Sequence, residues 1–513
     1  MHYYWNCFYD HAIVLGGSIG GIVTAAYLCK YFKRITIIES DDVLNDIFMK
    51  STSSEILDYR CRLESPTSLG RSGVSQIYQI HGLHSEGYKI LLELFPQLKD
   101  KLFNEYDIRT YSLKTECRLM NSGVLLNHDL TEDFDWLGID RFTLEIVLRK
   151  ELCLKFDKQI EWKCNTRVTD LIVDQSLNIV KGIKYRSKKN NNSLSFDMYG
   201  DFIIDCTGRN TSSPKWLKKN FNLIIPTVQV HFGCGYVTFI GERFRTDDPS
   251  LDSAAIIGTG VDSPNKNTGF ITTPIRIIKT IDNNSLGILA TFGIDCVNFE
   301  YPPNDSYENL LEWTKENLDS EYYTILTKNK SKKWPQNYIL LGDAMCTFNP
   351  QYAQGMTHAF RQARELEKLF GESCHKLKDI SHIFNRRASV ITEECWLAST
   401  ANDWKSPSLK VIETNKNGDV KVYQRSSDST MTNHPQPRAT LMMRFMQWYS
   451  YWFIQCASKS GPLSTDFLRV ITQQSNPSIL MKPTTFFAVI RIVLMNYLKN
   501  WGLFSGRSTH KAF

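Results

Sequence analysis

Six residues near the start of the chain, Gly16-Gly17-Ser18-Ile19-Gly20-Gly21, restrict its folding more than any other stretch. They follow a short apolar run, His11–Leu15, that reads as a buried strand. After them Ile22–Phe32 reads as a helix, and Ile35–Ile38 is a β-branched strand that stops at Glu39. Gly16 permits a tight turn off the first strand, and Gly21 lets the helix pack close to the sheet. The helix N-terminus then presents free N–H groups and a partial positive charge to a pyrophosphate. Glu39 stands 23 residues beyond Gly16, where a carboxylate accepts hydrogen bonds from ribose hydroxyls and repels a 2′-phosphate. Ser18 takes the place of the middle glycine of GxGxxG, and it is small enough for a pyrophosphate to approach. The competing reading of this segment is a structural glycine turn in an α/β protein.

A second device lies far downstream. Tyr338–Leu341 is an apolar strand ending in Gly342-Asp343-Ala344. The loop Asn349-Pro350-Gln351-Tyr352-Ala353-Gln354-Gly355-Met356 leads into Thr357–Phe370, whose apolar residues recur at helical spacing. Asp343 is placed to accept from a ribityl hydroxyl, with an ordinary helix cap as the alternative. The Gly355 loop lets backbone N–H groups reach a planar ring, and the following helix dipole would stabilise a reduced, anionic flavin. A nicotinamide-only dehydrogenase needs no such device, so FAD is the expected cofactor. Between the two ends, Asp201–Asp205 is a buried strand running into Cys206-Thr207-Gly208-Arg209. Asp205 either belongs beside the dinucleotide or caps a turn.

These segments resemble the FAD-dependent monooxygenase superfamily with the para-hydroxybenzoate hydroxylase fold. The shared segments are GGSIGG at 16–21, Arg71-Ser72-Gly73-Val74-Ser75-Gln76 with His81-Gly82-Leu83, DxTGR at 205–209, and GDAxCxFNPxYxQGM at 342–356. The resemblance covers most of residues 11–400. It implies an α/β fold: a Rossmann-like (GR2-type) FAD-binding domain, an inserted mixed β-sheet substrate domain and a helical C-terminal extension. The boundaries it suggests are 1–220 for the first part of the FAD domain, with a substrate-side segment at 76–140, and 221–330 for the substrate sheet. The second part of the FAD domain follows at 331–400, then a linker at 401–437 and a helical region at 438–513.

The resemblance further implies that Gly16, Gly17, Ser18, Ile19, Gly20, Gly21 and Glu39 hold the ADP half. Arg141 would meet the pyrophosphate region, and Val168 the adenine through its backbone. Gly342 and Asp343 would bind the pyrophosphate and ribityl chain. Pro350, Gln354, Gly355 and Met356 would line the isoalloxazine, with Arg71 and Gln76 approaching it from the other side. The implied chemistry is reduction of FAD by NADH or NADPH, addition of O2 at flavin C4a, and transfer of one oxygen through the C4a-hydroperoxide to a small apolar or aromatic substrate. No acid–base side chain is obligatory for that step, so no catalytic residue is assigned. The alternatives are a geranylgeranyl reductase-like FAD enzyme acting on a lipid, and a non-catalytic flavin-binding scaffold. Ser75 departs from a usual proline, Asp42–Gly70 is longer than expected, and no WxWxIP motif is present, which argues against a flavin-dependent halogenase. No second dinucleotide fingerprint occurs.

Composition narrows the partners. A net charge of +6 on 513 residues, without dense Lys/Arg runs beyond Lys188-Lys189 and Lys328–Lys333, argues against nucleic acid. Thirteen scattered cysteines without a CxxC pair suit a reducing compartment, and the N-terminus does not read as a signal peptide. No metal-ligand spacing stands out, His81 and His84 lacking a third partner. The expected setting is the cytoplasm, with a peripheral position on an intracellular membrane as the variant. That variant comes from Leu441–Ala457 and Phe486–Phe504, which are rich in Met, Trp and Phe with interspersed polar residues. Such helices either lie in a membrane interface or pack on the core. Val228–Ile240, Ala254–Thr272 and Leu286–Phe292 read as strands, and polar Lys405–Ala439 as a loop or linker.

Overall fold

The structure is a computed structural model. It describes residues 9–61, 71, 73–74, 76–77, 79–188, 194–231, 234–242, 249–260, 268–279, 286–297, 334–349, 352–372, 380–415, 417–425, 435–437, 439 and 441–500. Pro350, Gln351, Ser72, Ser75, Lys189, Lys328–Lys333 and the last part of the expected Phe486–Phe504 helix lie outside the described residues.

The continuous β-branched and apolar runs do what such runs do in α/β proteins: they form a parallel sheet buried on both faces. Its strands are β1 (Tyr9–Leu15), β2 (Phe32–Ile38), β3 (Ile160–Lys163), β4 (Phe202–Asp205) and β5 (Tyr338–Leu340), in the order β5-β4-β1-β2-β3. All four pairings are parallel. Helix α1 (Ile19–Leu28) crosses over between β1 and β2, and α2 (Arg141–Lys155) leads into β3. Helix α3 (Gly355–Glu372) follows β5 and packs on α1, where an added Cβ on Gly20 would sit 3.7 Å from Ala359. Ala12, Val14, Ile22, Val23, Ile35, Ile37, Phe202, Phe360 and Phe370 share one buried cluster that joins sheet to helices. A three-stranded antiparallel sheet, Thr166–Asp174, Ile179–Ser187 and Phe196–Tyr199, extends from this body.

A six-stranded mixed sheet combines Cys234–Glu242, Leu286–Val297, Thr268–Lys279 and Ile256–Thr259 with Cys117–Asn121 and Val124–Leu125. The segment 76–140 therefore supplies two of its strands. The run read as one strand, Val228–Ile240, is divided: Thr227–His231 leaves the six-stranded sheet and pairs with Lys410–Thr414. This corrects the linker expected at 401–437, which contains a β-hairpin, Lys410–Thr414 with Val420–Gln424. Low apolar content hid it, because its few apolar residues suffice: Leu409 and Val411 are buried against Trp404. Its turn uses Gly418 at φ +89, where Asn415 accepts from the N–H groups of Asn417 and Asp419.

The C-terminal helices Leu441–Ala457, Gly461–Ile471 and Pro483–Asn500 pack on one another through Tyr449, Phe453, Val489 and Val493. Gly461–Ile471 also docks on the six-stranded sheet region, with Leu468 in a cluster with Cys117, Trp136 and Ile256. At Gly461 an added Cβ would stand 1.8 Å from the Asp129 carbonyl oxygen, so the helix start is pressed against that loop.

Candidate active site

The turn off β1 is shaped by two positions that exclude a side chain. Gly16 has φ +96, and a Cβ there would meet the Cys206 carbonyl oxygen at 2.7 Å. A Cβ on Gly21 would lie 1.9 Å from the Gly16 carbonyl oxygen, which is how closely α1 folds back on its own entry. Ser18 is the N-cap of α1, yet its hydroxyl does not cap the helix. It donates to Glu145 Oε2 at 2.6 Å and accepts from Arg141 Nη2 at 3.1 Å. Helix α1 has no acidic residue in its first turn, and the carboxylates at its N-terminal end come from elsewhere in the chain, Glu39 on the Gly17 N–H and Glu145 on Ser18. Ile19, its first residue, is buried and anchors that end.

Glu39 is buried at the end of β2, where Oε2 accepts from the Gly17 N–H at 2.9 Å and Oε1 from the Asp41 N–H at 3.0 Å. Burial opposes its ionisation, but Arg71 and these backbone donors hold its pKa below the usual carboxylate range. Arg71 sits inside the same network, 3.3 Å from Glu39, 3.1 Å from Asp41 and 2.9 Å from Glu145. Glu145 in turn pairs with Arg149 at 2.6 Å. Arg71 thus lies with the Glu39 end of the site. Gln76 lies in a turn, its carbonyl accepting from the Gln79 N–H at 3.0 Å. Val168 is partly buried on the three-stranded sheet, beside an irregularity in its pairing with Ile179–Ser187.

The downstream device reaches this turn. Gly342 has φ +62 and its N–H donates to Gln362 Oε1 at 2.7 Å. Asp343 follows in a short 3-10 turn, and a Cβ on Gly355 would be 3.5 Å from its Oδ1. Burial raises the Asp343 pKa, while the nearby cations Arg141 and Arg209 work the other way. Arg141 is the bridge: it bonds Ser18, and its field acts on Asp343. Its Nε is shut off from solvent and has no hydrogen-bond partner. Ala353, with φ +50, sets up the entry to α3; Gln354 and Met356 are buried on either side of Gly355. Ala353 also packs against the cluster of Cys117 and Ile256, so the six-stranded sheet lies over this loop.

Several contacts at the site were not expected from the sequence, and Glu145, Arg149, Gln473 and Asp403 were not singled out there. Arg141, Glu145 and Arg149 lie four apart on α2, a spacing that puts them on one helix face and was readable. His84 donates from Nε2 to the Tyr352 carbonyl at 2.9 Å, which fixes the neutral tautomer and leaves Nδ1 without a partner. Burial lowers its pKa to about 4 against the pull of the Tyr352 and Ala353 carbonyls. Gln473, with φ +61, donates to the Gln354 carbonyl at 3.1 Å from 119 residues away. Asp403 is buried and accepts from Asn349 Nδ2 at 2.8 Å. Asp205 turns out to cap its own turn, accepting from the Thr207 N–H and hydroxyl at 2.8 and 2.6 Å and from Thr211 and Ser213.

The residues fit a dinucleotide carrying a diphosphate. Gly16, Gly17 and Gly21 leave no room for a side chain, the N-terminus of α1 points at the turn, and Arg141 Nε there lacks a partner. No family model matches the chain. It is 21% identical over 420 residues to Protein Rv3254 of Mycobacterium tuberculosis, covering 77% of this chain and 80% of that protein. Among solved structures it resembles the flavin-dependent brominase Bmp2, with 10% identity, 96% of this chain and 100% of that chain covered, and a TM-score of 0.51. PqsL of Pseudomonas aeruginosa, described as a probable FAD-dependent monooxygenase, aligns at 14% identity over 75% of this chain and 94% of that one, with a TM-score of 0.43. At such identities the likeness speaks for the fold and not for the halide chemistry of the brominase. The chain has the fold of that flavin-dependent enzyme, with the parallel sheet, the mixed sheet and the C-terminal helices all present.

Proposed function

We propose that this chain is an FAD-dependent monooxygenase that takes electrons from NADH or NADPH and inserts one oxygen atom of O2 into a small apolar or aromatic molecule. The observation that carries the reading is the convergence of two stretches more than 300 residues apart: a Cβ on Gly20 would sit 3.7 Å from Ala359, and Arg141, which bonds Ser18, acts on Asp343 through its charge. Bound FAD would supply the redox chemistry and the activation of oxygen. Glu39 and the glycine turn would hold the adenosine and diphosphate, and Arg141 would neutralise the diphosphate charge. Asp343 and the Gln354–Met356 loop would hold the ribityl chain and ring. The six-stranded sheet over Ala353 would close the substrate chamber and exclude water. Eight free cysteines among the described residues support a reducing, cytoplasmic setting.

The test is purification followed by turnover. A yellow protein whose flavin is released on denaturation, and which consumes O2 with NAD(P)H and places labelled oxygen in a product, meets the expectation. A chain that takes up no flavin even when refolded with excess overturns the proposal. NAD(P)H oxidation with flavin bound but no oxygen consumption replaces it with the reductase reading.

A further inference from the structure

The last described helix, Pro483–Asn500, is apolar on both sides. Its inner face, Thr485, Val489 and Val493, is buried against Tyr449 and Phe453. The outer face carries the larger apolar side chains: Phe487 is 68% exposed, Leu494 56%, Met495 46% and Tyr497 50%. Phe487, Arg491, Leu494 and Leu498 follow at spacings of three and four, so they form one stripe along the helix. A helix meant to face water would place small apolar residues inside and polar ones outside. Here only Arg491 interrupts the stripe.

Charge identifies what covers it. Residues 441–500 hold six Lys/Arg and one Asp/Glu, a net of +5 out of the chain's +6. Of these cations, Arg444, Lys459, Lys482 and Arg491 are exposed. Lys482 immediately precedes the helix, and Arg491 lies within the apolar stripe. Among the described residues no helix is long and apolar enough to cross a membrane. We infer that the outer face of Pro483–Asn500 docks in the plane of an anionic membrane surface, with Phe487 and Leu494 in the acyl boundary and Lys482 and Arg491 on lipid headgroups. A second copy of the chain would present the same positive charge and repel. The inference stands apart from the flavin reading, since it rests on a different part of the molecule.

Vesicle flotation of the full chain tests it, with phosphatidylcholine vesicles containing phosphatidylserine against pure phosphatidylcholine. The expected result is flotation with the anionic vesicles only, weakened by added salt. F487Q/L494Q should lower that partition about ten-fold or more, and R491E about five-fold. Both variants alter side chains that face water, so their melting curves and flavin content should match the parent chain. The inference is overturned if the full chain does not float, or if F487Q/L494Q floats as well as the parent. It is also overturned if a chain ending at residue 500 floats and the full chain does not, since residues 501–513 would then cover the face. A dimer on gel filtration that F487Q/L494Q dissociates, without vesicle binding, would assign the face to a second copy. A colourless protein that still floats would sink the flavin reading and leave this one.

Discussion

The two ends of the candidate site are held in different ways. At the turn end, carboxylates and guanidiniums pair with each other: Glu39 lies between the Gly17 N–H, the Asp41 N–H and Arg71, and Glu145 between Ser18, Arg71 and Arg149. At the loop end, support comes from remote chain, His84 from 268 residues before Tyr352 and Gln473 from 119 residues after Gln354. There, several buried atoms have no partner: His84 Nδ1, Gln354 Oε1, Thr357 Oγ1, His358 Nδ1 and Asp403 Oδ2. Buried polar groups are costly when unsatisfied, so such a cluster marks where a ligand or water completes the structure. The turn end also leaves Arg141 Nε and Arg149 Nε without a hydrogen-bond partner, so the difference lies in the support: ion pairs among neighbouring residues at the turn, remote chain at the loop.

The sharpest way to break this contrast is at the turn. Gly21→Ala would force a Cβ to 1.9 Å from the Gly16 carbonyl oxygen, and neither backbone can yield. We expect insoluble or flavin-free protein, a loss of about 4 kcal/mol or more, read by expression, absorbance and melting. An alanine variant that stays yellow with an unchanged melt would refute the tight turn.

The next largest effect is expected at Glu145. Burial works against its ionisation, but Arg71, Arg149 and Arg141 outweigh it and hold the carboxyl down to about 2. A carboxyl with a depressed folded pKa contributes stability above its unfolded pKa and loses it as pH falls through the folded one. The window therefore runs from about 4.5 down to about 2, and the contribution near neutral pH is about 3 kcal/mol. Urea denaturation across that range should show stability falling with pH. Glu145→Gln should flatten this slope and cost about 3 kcal/mol at pH 7, because buried Arg149 loses its carboxylate partner and Arg71 loses one of three. An unchanged slope in the variant would remove Glu145 from the network.

Gln473 sharpens the comparison at the loop end. Gln473→Gly keeps the left-handed backbone and removes the side chain, which separates the hydrogen bond from the φ of +61. Losing the bond to the Gln354 carbonyl should weaken flavin binding about five- to ten-fold, measured by dilution and fluorescence. Equal affinity in the variant would mean the C-terminal helices do not support the loop.

The smallest effect is expected at Asp403. Burial raises its pKa well above the ordinary carboxyl value, against the hydrogen bond from Asn349. A carboxyl with a raised folded pKa favours the fold below its unfolded pKa, and that contribution is lost as pH rises through the folded one. Asp403→Asn keeps the acceptor for Asn349 and removes the titration. Its stability should therefore change by less than about 0.5 kcal/mol in mild acid, and gain relative to the parent as pH rises. A large loss in mild acid would show that the charged form is needed.

Short-range geometry made the turn end legible. Gly16, Gly21 and Glu39 are within one βαβ unit, whose spacing is set by helix rise and strand pairing, and Gly342–Asp343 ends a strand of the same sheet. The sheet strands were readable because runs buried on both faces are continuously apolar. The hairpin at 410–424 was not, since few of its residues are apolar and its stability comes from pairing with Thr227–His231.

What the chain's order of residues determined by itself is the parallel-sheet body, the glycine turn after β1 and the strand ends at Glu39 and Gly342. Those depend on backbone conformation and local periodicity, which a run of a few residues encodes. Only the tertiary structure decided that Arg71 joins Glu39, that Asp205 caps its own turn, and that His84 and Gln473 hold the loop before Gly355. It also decided which face of the last helix meets water. Side-chain partners far apart in the chain are chosen by the packing of whole elements, and no local pattern specifies them.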